Sequence, residues 1–517
     1  MFADFAADFI GSLNPLARAK KERLERGLPL YDYASGSVHD TGILFPQDIL
    51  KSAMDHAFVC AEKYAPDSKG QLVAREAISH YYPGYKDGDE ERIILTPGTS
   101  QSYWYVFTLL ANAGDEIVVP RPCYPLFEYI AKLCKVTLTY YDLEVKDGAW
   151  GLNIDSLNRA LSEKTRAIVL ISPHNPTGHV LSRTESELIR HVACEKNIPL
   201  IVDEVFYEFV FDETCYENGN LPQRTVLADC PLVFTLNGFS KMFALPGMKI
   251  GWIKVDGRPD AVNTAVSALE MIADTFLPVQ EMAQFAAAEI FKNGQVFLRE
   301  YKKTIRDRWI DMKDVYSVVP QGGFYGVKFI GDRDEDVYAL ELLHTHGVLV
   351  HPGYFFTCPE PAVVFSFLRG TEHFALVGVL WYGYIEFLIQ FLCLQKRLLL
   401  LEKLLQRRLL CDLQKKRLVA LLRRAPSLPV FLRGSTRFLQ HPFLGLGCAL
   451  LFFLLFILFL LILEIGTLLF LSQALRLMDG FLNLLLLAFL LLQLPLLLFF
   501  GMFELEEERF LCGFSFC

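Results

Sequence analysis

A chain of 517 residues exceeds what one hydrophobic core usually supports, and its 52% hydrophobic content stands above the soluble average. Residues 391–517 hold 14 Lys+Arg against 8 Asp+Glu, or +6, so the net charge of −9 leaves −15 on residues 1–390. An acidic body offers no basic face on which to displace counterions, so no nucleic-acid partner is expected.

The twelve cysteines are scattered without a CxxC pair, and the opening MFADFAADFIGSLNPLARAKKERLERG lacks the continuous apolar core of a secretory signal. A reducing, cytoplasmic location for the body is the expectation. Residues 1–45 read as an N-terminal arm.

From residue 92 a theme recurs: a short β-branched run, a polar or Gly/Pro turn, then a stretch with helical spacing. RIILT (92–96), DEIVVP (115–120), RAIVLISP (166–173), PLIVDEV (199–205), LVFTLN (232–237) and KIGWIKV (249–255) are candidate strands. Most are apolar throughout, as expected of strands covered on both faces. SQSYWYVFTLLANA, SLNRALS and ESELIRHVACEK lie between them with helical spacing. This alternation predicts an α/β fold, a three-layer sandwich around a mainly parallel sheet, over residues 46–285. Residues 286–385 read as a smaller α+β domain, with helical EIFKNGQVFLREYKKTIRDRW, strand-like GGFYGVKFI and turn-rich GVLVHPGYFF.

Ligands of such sheets sit outside the carboxyl ends of the strands. Those exits carry PGTS (97–100), RPCYP (121–125), PHNPTG (173–178), DEVFY (203–207) and NGFSK (237–241). Together they supply an amine, an aspartate closing an apolar run, an Asn in a sharp turn, an aromatic ring, and a Gly-Thr-Ser opening a helix. A phosphorylated aldehyde cofactor needs that set: an amine to condense with it, an acid for its ring nitrogen, a flat group on its face, and N–H donors for its phosphate. Pyridoxal 5'-phosphate meets all four demands.

At these residues the chain resembles the class I/II aminotransferases of fold type I, over about residues 30–375. The most specific segment is SKMFALPGMKIG (240–251), supported by KYAPDSKGQLVAREAISHYY, PGTSQ, GDEIVVPRPCYP, HNPTG, IVDEV and GVLVHPGYFF in family order. The resemblance implies that Lys241 carries the imine to the cofactor and shuttles the proton. It implies that Asp203 pairs with the ring nitrogen, that Asn175 bonds the phenolic oxygen near the substrate carboxylate, and that Tyr124 stacks on the ring. Gly98, Thr99 and Ser100 would cradle the phosphate, with Lys249 in a position that is usually arginine. Tyr64 matches a tyrosine reaching the neighbouring subunit's phosphate, which implies a homodimer with shared active sites. Gly36 matches a glycine close to the substrate carboxylate.

Three positions depart from the family pattern. Phe206 stands where a tyrosine is common, with Tyr207 next to it expected to face away along a strand. Gly238 replaces a phosphate-binding serine. Val364, in VVFSF, takes the place of the arginine that grips the substrate carboxylate, and Arg369 is the nearest substitute. The expected substrates are an amino acid and a 2-oxo acid. A lyase or decarboxylase on the same cofactor, or a silent tethered member, are the other readings.

Residues 386–440 form a basic, leucine-rich helical segment; within it, 396–424 hold ten basic residues against two acidic ones. In 441–517, the uncharged runs 443–463 and 480–503 are each long enough for a bilayer helix of about 20 residues. Two readings of this Leu/Phe-rich tail stand side by side: a membrane anchor, or a reading-frame error in the gene.

Overall fold

Continuous β-branched runs bury both faces of a strand, and each of the six candidate runs becomes one. The computed structural model describes residues 14–370, apart from 218 and 278. The strands are β1 (Ile93–Thr96), β2 (Glu116–Arg121), β3 (Thr137–Lys146), β4 (Ala149–Leu152), β5 (Thr165–Ile171), β6 (Leu200–Asp203), β7 (Leu232–Gly238) and β8 (Gly251–Gly257). They form one sheet in the order β1-β8-β7-β6-β5-β2-β3-β4.

Alternate residues of each central strand enter opposite cores. Ile117, Val119, Ala167 and Val169 pack on one side with Phe107, Phe127 and Leu269. Val118, Ile168 and Leu170 pack on the other with Ile189, Val192 and Leu227. Helices α1 (Thr99–Leu110), α2 (Leu126–Cys134), α3 (Arg183–Lys196) and α4 (Pro259–Thr275) supply the outer layers. At the start of α3, Ser182 and Glu185 form a reciprocal capping box, which satisfies two otherwise orphaned N–H groups.

The hairpin β3–β4 is not among the predicted strands. It lies at the sheet edge, where TLTYYDLEVK is half-exposed and no continuous apolar run marks it. Its signal is the turn, Asp147-Gly148, with φ of 53° and 80° as a tight hairpin requires. A second difference concerns EIFKNGQVFLREYKKTIRDRW. It is two helices, α5 (Glu281–Asn293) and α6 (Gln295–Met312), meeting at Gly294. A side chain there would meet the Ile290 carbonyl and the rings of Phe45 and Phe243, so the helices part at a position with no room for one.

Beyond α6 lie β9 (Tyr325–Phe329), α7 (Glu335–His346), β10 (His351–Pro352) and β11 (Ala362–Ser366), the strands forming an antiparallel sheet in the order β9-β11-β10. The N-terminal segment reaches this unit: Tyr31 and Asp32 pair in parallel with Val348 and Leu349, and Ser366 Oγ donates to the Ser35 carbonyl at 3.0 Å. By contact, the chain divides into the units Met1–Gln395 and Lys396–Cys517. The basic segment and both long apolar runs lie outside the described residues. Among the described residues no helix is long and apolar enough to cross a membrane.

Candidate active site

Strand direction decides what meets at the sheet edge. β2, β3, β5, β6 and β7 run parallel; β8 is antiparallel to both β7 and β1, so β1 shares the common direction. The exits of β1, β2, β5, β6 and β7 therefore open at one edge, with the start of β8 beside them. Gly98–Ser100, Tyr124, Asn175, Asp203 and Lys241 all follow those exits.

Lys241 lies in a single helical turn, Phe239–Met242, pinned by the buried side chains of Phe239 and Met242. Its Nζ donates to the Gly36 carbonyl at 2.9 Å, and the rings of Phe206 and Phe324 stand 6.0 and 5.7 Å away. No carboxylate pairs with it among the described residues. Although the residue is half-buried by area, its amine is enclosed, and burial pulls its pKa from 10.5 down to about 8. A lysine that gives up its proton near neutral pH is a nucleophile and a base.

Between about pH 8 and 10.5 the unfolded chain holds a proton at this residue that the folded chain has released, so stability rises with pH across that window. Apo-protein melting compared with Lys241→Met should show that rise in the parent and not in the variant.

Asp203 closes β6 with 8% of its surface exposed. Val205 N–H donates to its Oδ1 at 2.8 Å and the Tyr103 hydroxyl to its Oδ2 at 2.7 Å, which fixes the carboxyl plane. Burial raises its pKa to about 6, against the opposing pull of those two donors. A buried carboxylate of this kind gains from a cation placed beside it. Tyr103 was missed in the sequence, although SQSYWYVF contains it. It lies one turn into α1, the helix whose first residues stand at the same edge.

Asn175 keeps its Oδ1 buried and unpartnered, beside His174, whose Nδ1 meets Thr177 Oγ1 at 2.9 Å. Tyr124 faces the Ser100 side chain and lies in the field of Asp203, and burial raises its pKa. Tyr325, also missed, lies near Tyr124 and against Gly36: a Cβ at Gly36 would collide with the Tyr325 hydroxyl and stand 3.5 Å from Lys241 Nζ. Gly36 is thus bare where the Tyr325 hydroxyl and the Lys241 amine converge.

Gly98 caps α1 with φ of 144°, and the first N–H groups of α1 have no intrahelical acceptor. Gly251 packs against it; a Cβ there would stand 2.8 Å from Gly98 Cα. Gly238 pairs with Gly251, and a side chain on it would stand 2.8 Å from the Ile250 carbonyl. The close approach of β1, β7 and β8 accounts for the missing serine. Lys249, two residues before Gly251, is exposed; its N–H closes a turn onto the Pro246 carbonyl, and its side chain makes no hydrogen bond or ion pair among the described residues.

The segment after Asp203 is a turn and not a strand, with Tyr207 N–H bonded to the Glu204 carbonyl. Phe206 faces the Lys241 amine. Tyr207 does turn away, though by this turn and not by strand alternation: its ring packs 3.3 Å beneath the Arg224 guanidinium, itself paired with Glu204. Val364 is buried on β11 between Val327 and His351. Arg369 is brought near the arm: its Nε donates to the Asp32 carbonyl at 3.0 Å, four residues from Gly36. Tyr64 is 77% exposed and belongs to none of these groups.

A hidden amine, a fixed carboxylate, an asparagine amide, an aromatic wall and free helix N–H groups at one edge match the aldehyde, ring nitrogen, phenolic oxygen, ring face and phosphate of pyridoxal phosphate. The fold and this donor set define a fold-type-I pyridoxal-phosphate enzyme. The sequence model of "Aminotransferase class I and II" matches residues 34–369, and the chain belongs to that family.

Similar proteins agree. The glutamate-pyruvate aminotransferase AlaA of Escherichia coli K12 is 27% identical over 363 residues, covering 67% of this chain and 88% of that one. Human tyrosine aminotransferase is 33% identical over 204 residues, covering 39% and 43%. An alanine aminotransferase from Pyrococcus furiosus shares the fold with a TM-score of 0.66 at 23% identity, covering 75% of this chain and 100% of that one. This protein is accordingly a pyridoxal-phosphate-dependent aminotransferase.

Proposed function

We propose that Lys241 is the covalent anchor and proton carrier of an aminotransferase that moves an amino group from an amino acid to a 2-oxo acid. The observation that carries this reading is the enclosed Lys241 amine, acid-free and bonded to Gly36, at the same sheet edge as a buried Asp203. Bound pyridoxal phosphate would supply an aldehyde to take the amino group and a protonated ring to draw in the electron pair left on Cα when its proton is removed.

Lys241 would hold the aldehyde, and its Nζ, when not so engaged, would take up the substrate's Cα proton and give it back within the site. Asp203 keeps the ring nitrogen protonated, and Tyr103 and Val205 hold the carboxylate in line. Asn175 offers its amide to the phenolic oxygen. Tyr124 covers the ring face and excludes water. The N–H groups of Gly98, Thr99 and Ser100 hold the phosphate at the start of α1, and Lys249 adds positive charge.

Gly36 and Arg369 receive the substrate α-carboxylate, with Arg369 replacing the arginine absent at Val364. Charged hydrogen bonds contribute about 1.5–3 kcal/mol each, so Arg369→Gln should raise KM for both substrates about tenfold to a hundredfold. Unchanged KM values would remove Arg369 from this role.

The active form in this reading is a homodimer in which Tyr64 reaches the partner's phosphate. Phe58, Val59 and Tyr64, close together in the sequence, are 71%, 69% and 77% exposed and leave apolar surface for a partner subunit to cover. Sedimentation should give a dimer; a fully active monomer contradicts this.

The whole reading is tested by adding a single amino acid to the yellow holoenzyme. The spectrum should convert to that of the pyridoxamine form, with release of one 2-oxo acid. Release of pyruvate and ammonia without that conversion would make the protein a lyase.

A further inference from the structure

The loop leaving β2, the first turn of α2 and the segment from β10 onward border an open cleft of 330 Å³. Tyr124, Tyr129, Tyr354, Phe355, Phe356 and His351 form most of its wall. The two sides are joined directly, Cys123 N–H donating to the Phe356 carbonyl at 2.6 Å. Tyr354 and Phe355 meet edge to face with ring centroids 4.7 Å apart, and His351 and Phe355 do so at 5.7 Å. Tyr124 belongs both to this cleft and to the group around Lys241.

Charge on the lining is one-sided. No lysine or arginine is among the described residues that line it, and Glu128 is the acidic one. Burial pulls the pKa of His351 below its ordinary 6.5, so the imidazole adds no positive charge at neutral pH.

We propose that this cleft receives the side chain of an aromatic amino acid, which makes aromatic amino acids the preferred amino donors of the enzyme. The assignment rests on the aminotransferase reading and adds the substrate class to it. Aromatic walls offer edge-to-face partners to a phenyl, phenol or indole ring as well as apolar surface to bury it. An aspartate or glutamate side chain would lose its hydration and find Glu128 in place of a cation. An alanine side chain would leave the cleft to water, and its binding would gain nothing from it.

The test has two arms. In the first, holoenzyme is mixed with phenylalanine, tyrosine, tryptophan, alanine, aspartate or glutamate, and the rate of conversion to the pyridoxamine form is followed at several concentrations. Aromatic donors should exceed the others in kcat/KM by about tenfold or more, the discrimination that a few buried methylene equivalents give. Phe355→Ala should lower the ratio of phenylalanine to alanine by about tenfold, and Glu128→Lys should raise the ratio of glutamate to phenylalanine by a similar factor.

In the second arm, calorimetry measures binding of 3-phenylpropionate and of glutarate, neither of which can react. The aromatic acid should bind more tightly, and Phe355→Ala should weaken it selectively. Faster conversion with alanine or glutamate, tighter binding of glutarate, or equal loss for all donors in both variants overturns the aromatic assignment and leaves the aminotransferase reading intact. Absence of conversion by every donor, with 3-phenylpropionate still bound selectively, overturns the aminotransferase reading instead.

Discussion

Lys241→Ala should fold, keep its secondary structure and lose turnover by about 10⁴-fold or more, since it removes the cofactor's anchor and the proton carrier together. Neither of the two lysines that follow it next in the chain stands in for it. Lys249 is exposed, and Lys254 is paired with Asp256. His39, the imidazole nearest in sequence to Gly36, spends its Nε2 on the Ala244 carbonyl at 2.7 Å. Added small amines should restore a measurable fraction of the proton transfer, because the space the side chain leaves is enclosed. Phe206 and Phe324, which border that space, offer no proton acceptor. Retention of more than a tenth of the parent rate would mean that proton transfer uses another group.

Asp203→Asn should separate stability from activity. In the folded apo-protein the carboxyl titrates near 6, whereas unfolded it titrates at its ordinary 3.8. Between those values the folded chain holds a proton that the unfolded chain has lost, so this residue lowers apo-protein stability as pH rises through the window. At pH 7 the penalty is fully present. The asparagine variant should therefore melt higher than the parent as apo-protein at pH 7, and equal to it near pH 4.

Turnover should move the opposite way, down by about 10³-fold, because a neutral amide cannot keep the cofactor's ring nitrogen protonated. Tyr103→Phe should give a smaller loss together with an upward shift in the acidic limb of the pH profile, since the lost hydroxyl favoured the carboxylate. A variant at position 203 that is both less stable and fully active would contradict the role given to the buried charge.

The central layer was legible because its strands are covered on both faces. Continuous runs such as RAIVLI and LIVD mark themselves, and the chemistry-bearing residues follow them directly. Tyr124, Asn175, Asp203 and Lys241 therefore stood out as candidates, in that order along the chain. The edge hairpin β3–β4 was not, because a strand wet on one side breaks its run with polar residues.

Residues whose role depends on distant folding were also hidden. Tyr103 lies 100 positions before the carboxylate it holds, and nothing local distinguishes it from Tyr105 two residues on. Tyr325 acquires its place only when β9 approaches the arm at Gly36. The glycine at 238 reads as a lost phosphate ligand until β8 is seen pairing beside it, with the Ile250 carbonyl 2.8 Å from where a Cβ would stand. The sense in which Tyr207 turns away was anticipated, whereas its cause, a turn stacked on the buried Arg224–Glu204 pair, required the fold.

The account stands most directly on the bond between Lys241 and the cofactor. Holoenzyme reduced with borohydride, digested and sequenced by mass spectrometry should carry one pyridoxyl group, on the peptide containing Ser240-Lys241-Met242. A label on a different lysine, or an unlabelled Lys241 peptide from yellow protein, would contradict it.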